Sequence, residues 1–400
     1  MNSRERFLSA LENKPVDYAP CSFMLFFNLY NHCRSEREYI EREVALGLDP
    51  HVHVGHLNHT MHLTGTLHPD AKYREWVENE EGVKYFCRRI DTPKGPLTSR
   101  VKQWDGFPTE NNFPIFKDWI IPRSKEFLIK PEQDLEKLPY VFGPFKDRDI
   151  EQLRGEAKEA KALADQYGLI LAGGWKGNVD PTLQVDPGVM GCDAMSWLSG
   201  FETIMELSLT NPDVVREYVR IIHEWNMQQI QIYLDVTDAD ILLRRAWYES
   251  TEFWTPRAFR SIVVPPLKEE ATLVHQAGKK LGYIITSAFM PILDDILDTG
   301  IDVLVGLDPK EGKGTDLAVV KQKFVAKRKA IWGGVSGAVT VESGSEQETE
   351  QAVLQALQTL GRGGGFILSP VDNVREDTPN ARRNTEVFIE TWKKHRKEFA

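Results

Sequence analysis

Cysteine is scarce in this chain. The four present are Cys21, Cys33, Cys87 and Cys192, and no two have CxxC spacing. Four cysteines in 400 residues do not make a disulfide framework, so a reducing, cytoplasmic setting is expected. No apolar run approaches the roughly 18 residues of a membrane-spanning helix, and residues 1–7 (MNSRERF) carry too much charge for a signal peptide. There is no long basic run, and the formal net charge is −10. Nucleic acid is therefore not an expected partner, because phosphate binding needs a clustered positive face. No GxGxxG follows a strand at the right place, and no GxxxxGK[ST] occurs. Residues 361–365 (GRGGG) precede a strand rather than open a helix, which reads as a helix end and turn.

What the chain does contain is a regular alternation. Residues 3–14 read as a helix capped by Ser3, with Phe7, Leu8 and Leu11 on one face and Pro15 as the stop. Residues 21–27 form a continuous apolar run, the expected first strand. A helix over 35–46 ends at Gly47, and a short strand over 50–56 alternates histidine and valine. From Pro131 onward helical stretches lead to strands at 169–172, 239–243, 283–285, 303–305, 331–333 and 366–368. About eight strands in helix–strand alternation predict a (β/α)8 barrel, the TIM-barrel architecture, as one domain over 1–400.

Between about 71 and 121 the pattern changes. Tyr73, Glu75 and Val77, then Val83, Tyr85 and Cys87, alternate as antiparallel strands joined at residues 80–82. An inserted β cover over one mouth of the barrel is expected; a separate small domain is the alternative.

Polar residues at strand C-terminal ends are the natural candidates for chemistry in such a barrel. In order they are His56, Lys176, Trp247 to Ser250, Thr286, Ser287, Asp308, Ser336, Asp372 and Asn373. The run His51, His53, His56, His59, His62 could supply a metal ligand, with His56 nearest the rim; packing or turn capping is the other reading. Glu249 has the chemistry of a general acid, a general base or a metal ligand. Arg244 and Arg245 could grip a substrate carboxylate by forked hydrogen bonds or form a flanking salt bridge. Asp308 precedes Pro309, and Asp372 could be an Asx-turn residue as easily as a catalytic one. The tryptophans Trp76, Trp104, Trp175, Trp247 and Trp254 suggest a flat or apolar ligand, some of them serving only as core.

These stretches together resemble the uroporphyrinogen decarboxylase superfamily. The resemblance is carried by residues 4–11 (RERFLSAL) with 15–17 (PVD), 47–49 (GLD), 256–266, 305–308 (VGLD), 332–334 (WGG) and 364–370 (GGFILSP). It implies a (β/α)8 barrel with its pocket at the C-terminal rim. It also implies one of two activities: cofactor-free decarboxylation of a tetrapyrrole's acetate arms, or methyl transfer involving a corrinoid on a partner protein, usually with zinc. The matching positions depart from the decarboxylases. Residues 23–30 (FMLFFNLY) lack the arginines that grip carboxylates, His56 stands where the catalytic aspartate is expected, and Asp372 stands where the rim histidine is expected. The His-x-Cys zinc motif of the thiol-methylating branch falls on Ile284 and Thr286, and no cysteine follows Cys192. The branch that demethylates aryl ethers is the better fit.

The expectation is therefore a corrinoid-linked methyltransferase, an O-demethylase component. It would take a small methylated, methoxylated aromatic substrate and a corrinoid protein partner, with a possible homodimer. His56, Glu249 and Asp372 are the expected catalytic residues and zinc ligands. Trp247, Tyr248, Arg245, Ser287, Ser336 and Asn373 are the expected substrate contacts. The rival is decarboxylation, with Arg244 and Arg245 replacing the missing clamp. A third reading is a corrinoid- or porphyrin-binding protein without chemistry.

Overall fold

The computed structural model describes residues 1–55, 57, 67–105, 115–175, 188–311 and 314–399. Its first helix, Ser3–Leu11, is capped one residue earlier than expected. The Asn2 side chain accepts from the Glu5 N–H, and the Glu5 carboxylate accepts from the Asn2 N–H. Asparagine caps as well as serine, and a glutamate three positions on completes the reciprocal box, which Arg6 cannot do. Asn2→Ala is expected to lower stability by about 1 kcal/mol, measurable as a downward shift in thermal midpoint.

The main sheet is parallel and curled. Its strands are β1 (His51–His53), β6 (Ile170–Gly174), β8 (Ile241–Arg245), β9 (Lys280–Ile284), β10 (Val303–Leu307), β11 (Ala330–Ser336) and β12 (Phe366–Val371), hydrogen-bonded in that order. The two-residue strand β7 (Val189–Met190) also pairs with β8. Helices connect successive strands, among them Asp147–Tyr167 before β6, Pro212–Val236 before β8 and Leu317–Lys327 before β11. Beside β12, Cys21 bridges Leu368 in the parallel sense. The Cys21 carbonyl also accepts from Asp49 N, two residues before β1. The curl thus brings both edges of the sheet to one short segment.

That segment is less regular than the expected strand over 21–27. Only Cys21 makes a ladder bridge, and Phe27–Tyr30 is a helical turn. Side chains claim the next backbone donors: Met24 N donates to Ser369 Oγ, and Phe27 N to Asn373 Oδ1. A donor spent on a side chain is not available to a ladder.

Alternation along the strands separates two cores. Ile170, Ala172, Ile241, Leu243, Ile284, Val303, Val305, Trp332 and Ile367 make the inner one. Leu171, Leu242, Leu281, Tyr283, Leu304, Ile331 and Leu368 join the outer core, where the sheet meets its helices. Phe7, Ala10 and Leu11 of the first helix join the inner core at the strand starts, and Trp175 and Trp247 join it just past strand ends. Arg4 ties that helix to the sheet: its Nε donates to Asp240 Oδ2 at 3.0 Å, and the same oxygen accepts from Leu171 N. At Gly174, φ is +82° and a Cβ would collide with the Leu243 carbonyl, so glycine lets β6 end tight against β8.

A second, antiparallel sheet runs β2 (Lys72–Glu80), β3 (Val83–Thr92), β4 (Gly95–Lys102) and β5 (Ser124–Glu126). Glu81 and Gly82 join β2 to β3, both with positive φ, as a two-residue hairpin turn demands. Between β4 and β5 a tight turn, Asp118–Arg123, begins with an acid. No helix among the described residues is long and apolar enough to cross a membrane.

Candidate active site

Two neighbouring arginines at the end of β8 point opposite ways. Ile241 and Leu243 face the inner core and Leu242 the outer. By the same alternation Arg244 enters the wall and Arg245 the mouth.

Arg244 is buried with two carboxylates. Its Nη1 donates to Glu249 Oε2 at 2.7 Å and its Nη2 to Glu249 Oε1 at 2.9 Å. Its Nε lies 2.5 Å from Glu270 Oε2 as an ion pair outside hydrogen-bond geometry. Glu249 also accepts from Cys192 N on Oε1 and from the Tyr283 hydroxyl on Oε2. Each oxygen of Glu249 therefore holds two donors, which fills the four lone-pair sites of a carboxylate. Glu249 is 1% exposed.

That arrangement bears on Glu249 as a zinc ligand. A zinc ligand needs a free lone pair, and Glu249 has none, so zinc does not fit a site built on it. No group of three His, Cys, Asp or Glu among the described residues could hold a metal ion. His56, like His59, His62 and Lys176, lies outside the described residues. His53 accepts from Gly55 N at Nδ1 and places Nε2 3.3 Å from the Gly174 carbonyl; His51 lies edge-on to Trp332.

The wall cluster continues outward through His223. Its Nδ1 lies 3.3 Å from Glu270 and its Nε2 2.9 Å from Glu269. Burial opposes its protonation, but the hydrogen bonds and charges of Glu270 and Glu269 outweigh that and hold its pKa above the ordinary imidazole value. A raised histidine pKa contributes stability that is fully present below the unfolded value of about 6.5 and fades as pH rises through the folded one. Urea midpoints should therefore fall as pH is raised from about 6.5, and His223→Gln should flatten that slope.

Arg245 organises the mouth. Its Nε donates to Asp193 Oδ1 at 3.1 Å and its Nη2 to Asp118 Oδ1 at 3.3 Å. The guanidinium lies 4.8 Å from the Trp197 ring centre and 4.5 Å from that of Trp247. Asp118 Oδ1 also accepts from the Tyr248 hydroxyl at 2.6 Å and from Trp197 Nε1 at 2.8 Å. Burial would raise the Asp118 carboxyl, but the charge of Arg245 and these two hydrogen bonds hold it below the usual range. Asp193 is fully buried, and burial pushes it up to about 6 despite Arg245. Burial of the Tyr248 hydroxyl, with Asp118 beside it, pushes that group above the ordinary phenol value.

Asp372 sits past β12 with φ of +64°. Burial raises its pKa, the charges of Arg375 and Arg245 working against the rise and those of Asp118 and Glu342 with it. It is thus within electrostatic reach of the Arg245 cluster. Asn373 accepts from Phe27 N and leaves Nδ2 without a partner among the described residues. Ser336 is buried and caps the turn after β11 by accepting from Val339 N. Ser287 is half-buried and donates to Glu252. Asp308 accepts from the N–H groups of Lys310 and Glu311, the turn reading for that residue.

The structure therefore gathers Arg245, Trp247, Tyr248 and Asp372 around one mouth and leaves Glu249 in the wall. Sequence reasoning missed Asp118 and Asp193, whose partner Arg245 lies more than fifty positions away.

The family model described as uroporphyrinogen decarboxylase (URO-D) matches residues 192–395, which carry β8 to β12. A solved methyltransferase from Methanosarcina mazei is similar over 98% of this chain and 99% of its own, at 15% identity and a TM-score of 0.56. At that identity the likeness is one of fold. A D-psicose 3-epimerase from Clostridium cellulolyticum H10 matches 64% of this chain and 83% of its own, at 11% identity and a TM-score of 0.32, too low to carry an argument. The comparison with curated proteins gives no match.

Proposed function

We propose, from the premise that this chain belongs to the uroporphyrinogen decarboxylase family, that it is a methyltransferase. It takes a methyl group from a small methoxylated aromatic substrate and passes it to a corrinoid held by a partner protein. In this reading the curled sheet closes as a (β/α)8 barrel in a single domain. The antiparallel sheet is its cover, and the mouth around Arg245 is the substrate site.

The observation that carries the reading is the charge balance of the two arginines. A polycarboxylate tetrapyrrole needs free cations, and these are already committed: Arg244 to Glu249 and Glu270, Arg245 to Asp118 and Asp193. Around Arg245 two carboxylates, Asp118 and Asp193, outnumber one cation. Such a mouth repels carboxylates and suits a neutral substrate between aromatic walls.

The corrinoid would supply the reduced cobalt that accepts the methyl group. This chain's part is to hold the substrate and complete the proton balance. As the methyl carbon leaves, the C–O bond breaks and its electron pair stays on oxygen. A carboxyl whose pKa burial raises then gives that oxygen its proton. Asp372 takes this role. Glu249, with no free lone pair, takes no part, and no step is assigned to zinc.

The test is to incubate the purified protein with neutral methoxyphenols and cob(I)alamin, following conversion to methylcobalamin, in parallel with uroporphyrinogen and a trap for carbon dioxide. Methyl transfer without carbon dioxide release is the expected result. Carbon dioxide from uroporphyrinogen would install the decarboxylase reading in its place, and inertness toward both sets would leave a binding protein.

A further inference from the structure

Buried tryptophans in this fold meet their hydrogen-bonding need with one exception. Trp197 donates to Asp118, Trp225 to the Gly143 carbonyl, Trp254 to that of Tyr248, Trp332 to that of Ser22 and Trp392 to that of Ala19. Trp175 is 4% exposed, and its Nε1 has no partner among the described residues. A buried indole N–H normally finds an acceptor, because leaving it unmade forfeits its hydration without return. Phenylalanine would fill the same space without that loss.

The position of Trp175 supplies the reason. It stands one residue past β6, in the inner core, with its ring centre 5.0 Å from that of Trp247 and tilted by 57°. Trp247 in turn carries Arg245 over its ring. The unmet donor thus belongs to the aromatic pair at the mouth of the sheet. At the end of β12, Asn373 holds a second unmet donor, Nδ2, and is 4% exposed.

We propose that Trp175 is a substrate-positioning residue whose indole N–H donates to an oxygen of the ligand. The inference rests on the mouth being the substrate site, and it narrows the substrate class. The ligand is flat enough to lie against Trp175 and Trp247, and it carries an acceptor oxygen on or next to the ring. A methylated ammonium, with no acceptor to offer, would leave both donors unmet.

Methoxybenzene and ethylbenzene, nearly the same shape and differing by oxygen for methylene, separate the possibilities on the 400-residue chain. The ten tryptophans give ten indole N–H signals in a nitrogen-15 correlation spectrum, and Trp175→Phe identifies the one of interest. Methoxybenzene should move that signal downfield, and ethylbenzene should not. In Trp175→Phe, affinity for methoxybenzene should fall about threefold to tenfold, the size of one neutral hydrogen bond, with affinity for ethylbenzene unchanged. Should the variant fail to fold, the unsubstituted protein still decides: one indole signal must distinguish the two probes. If none does, the proposal is overturned. The titration contains no corrinoid, so a responding indole in a protein that transfers no methyl group would sink the methyltransferase reading alone. Methyl transfer with a silent indole would sink this one.

Discussion

Arg244→Met should lower the unfolding free energy by about 3–5 kcal/mol, the cost of stripping one partner from a buried ion cluster. The reason is the company Arg244 keeps. Glu249 and Glu270 are 1% and 0% exposed, and Arg244 faces both. Methionine fills much of the volume but leaves two carboxylates in the wall with His223 as the remaining cation. Arg244→Lys should recover little, because an ammonium cannot reproduce the fork that meets both oxygens of Glu249. Urea titration followed by tryptophan fluorescence reads the loss. A change under about 1 kcal/mol would mean that water or rearrangement already compensates the cluster, contrary to the effect of breaking such a pair.

Asp372→Asn should reduce methyl transfer by about 10²–10⁴-fold, the usual contribution of a positioned general acid, while leaving the fold intact. Asparagine is as much at home as aspartate at a φ of +64°, so the backbone there has no reason to move. The pH profile is the sharper measure. A proton donor works only while protonated, so activity should be full below the raised pKa of Asp372 and fall as pH climbs through it. The variant should lose that alkaline limb along with the rate. A variant that keeps the rate, or keeps the limb, removes Asp372 from the chemistry; Asp193, held up at about 6, is then the next acid to replace.

The alternation of helices and strands was legible because each element repeats a simple period. The strands beginning at 303 and 366 fall where their apolar runs put them. The hairpin at 80–82 was legible from turn chemistry alone. The stretch from Asp193 to Thr210 was not, because it is apolar around Asp193–Ser199 and has no clear face until Gly200 breaks it into two helices. At the site, the pair Arg244 and Arg245 was seen but treated as a unit. Strand alternation, applied one residue past Leu243, divides them between wall and mouth, and Glu249 then follows Arg244 into the wall. A carboxylate after a strand reads the same whichever way it turns, so its role depended on a partner's direction. Asp118 had no local signature at all. It enters through three donors, Trp197, Arg245 and Tyr248, that are distant from it in sequence.

That single oxygen of Asp118 has a further meaning for how the molecule could be altered. The antiparallel sheet reaches the mouth through it, and it holds in common one indole, one guanidinium and one phenol from separate stretches of chain. Trimming that sheet with its Asp118 turn to shrink the protein, or exchanging them for others, would also release Arg245 and Tyr248 from their shared anchor. The two parts can be redesigned together but not one at a time.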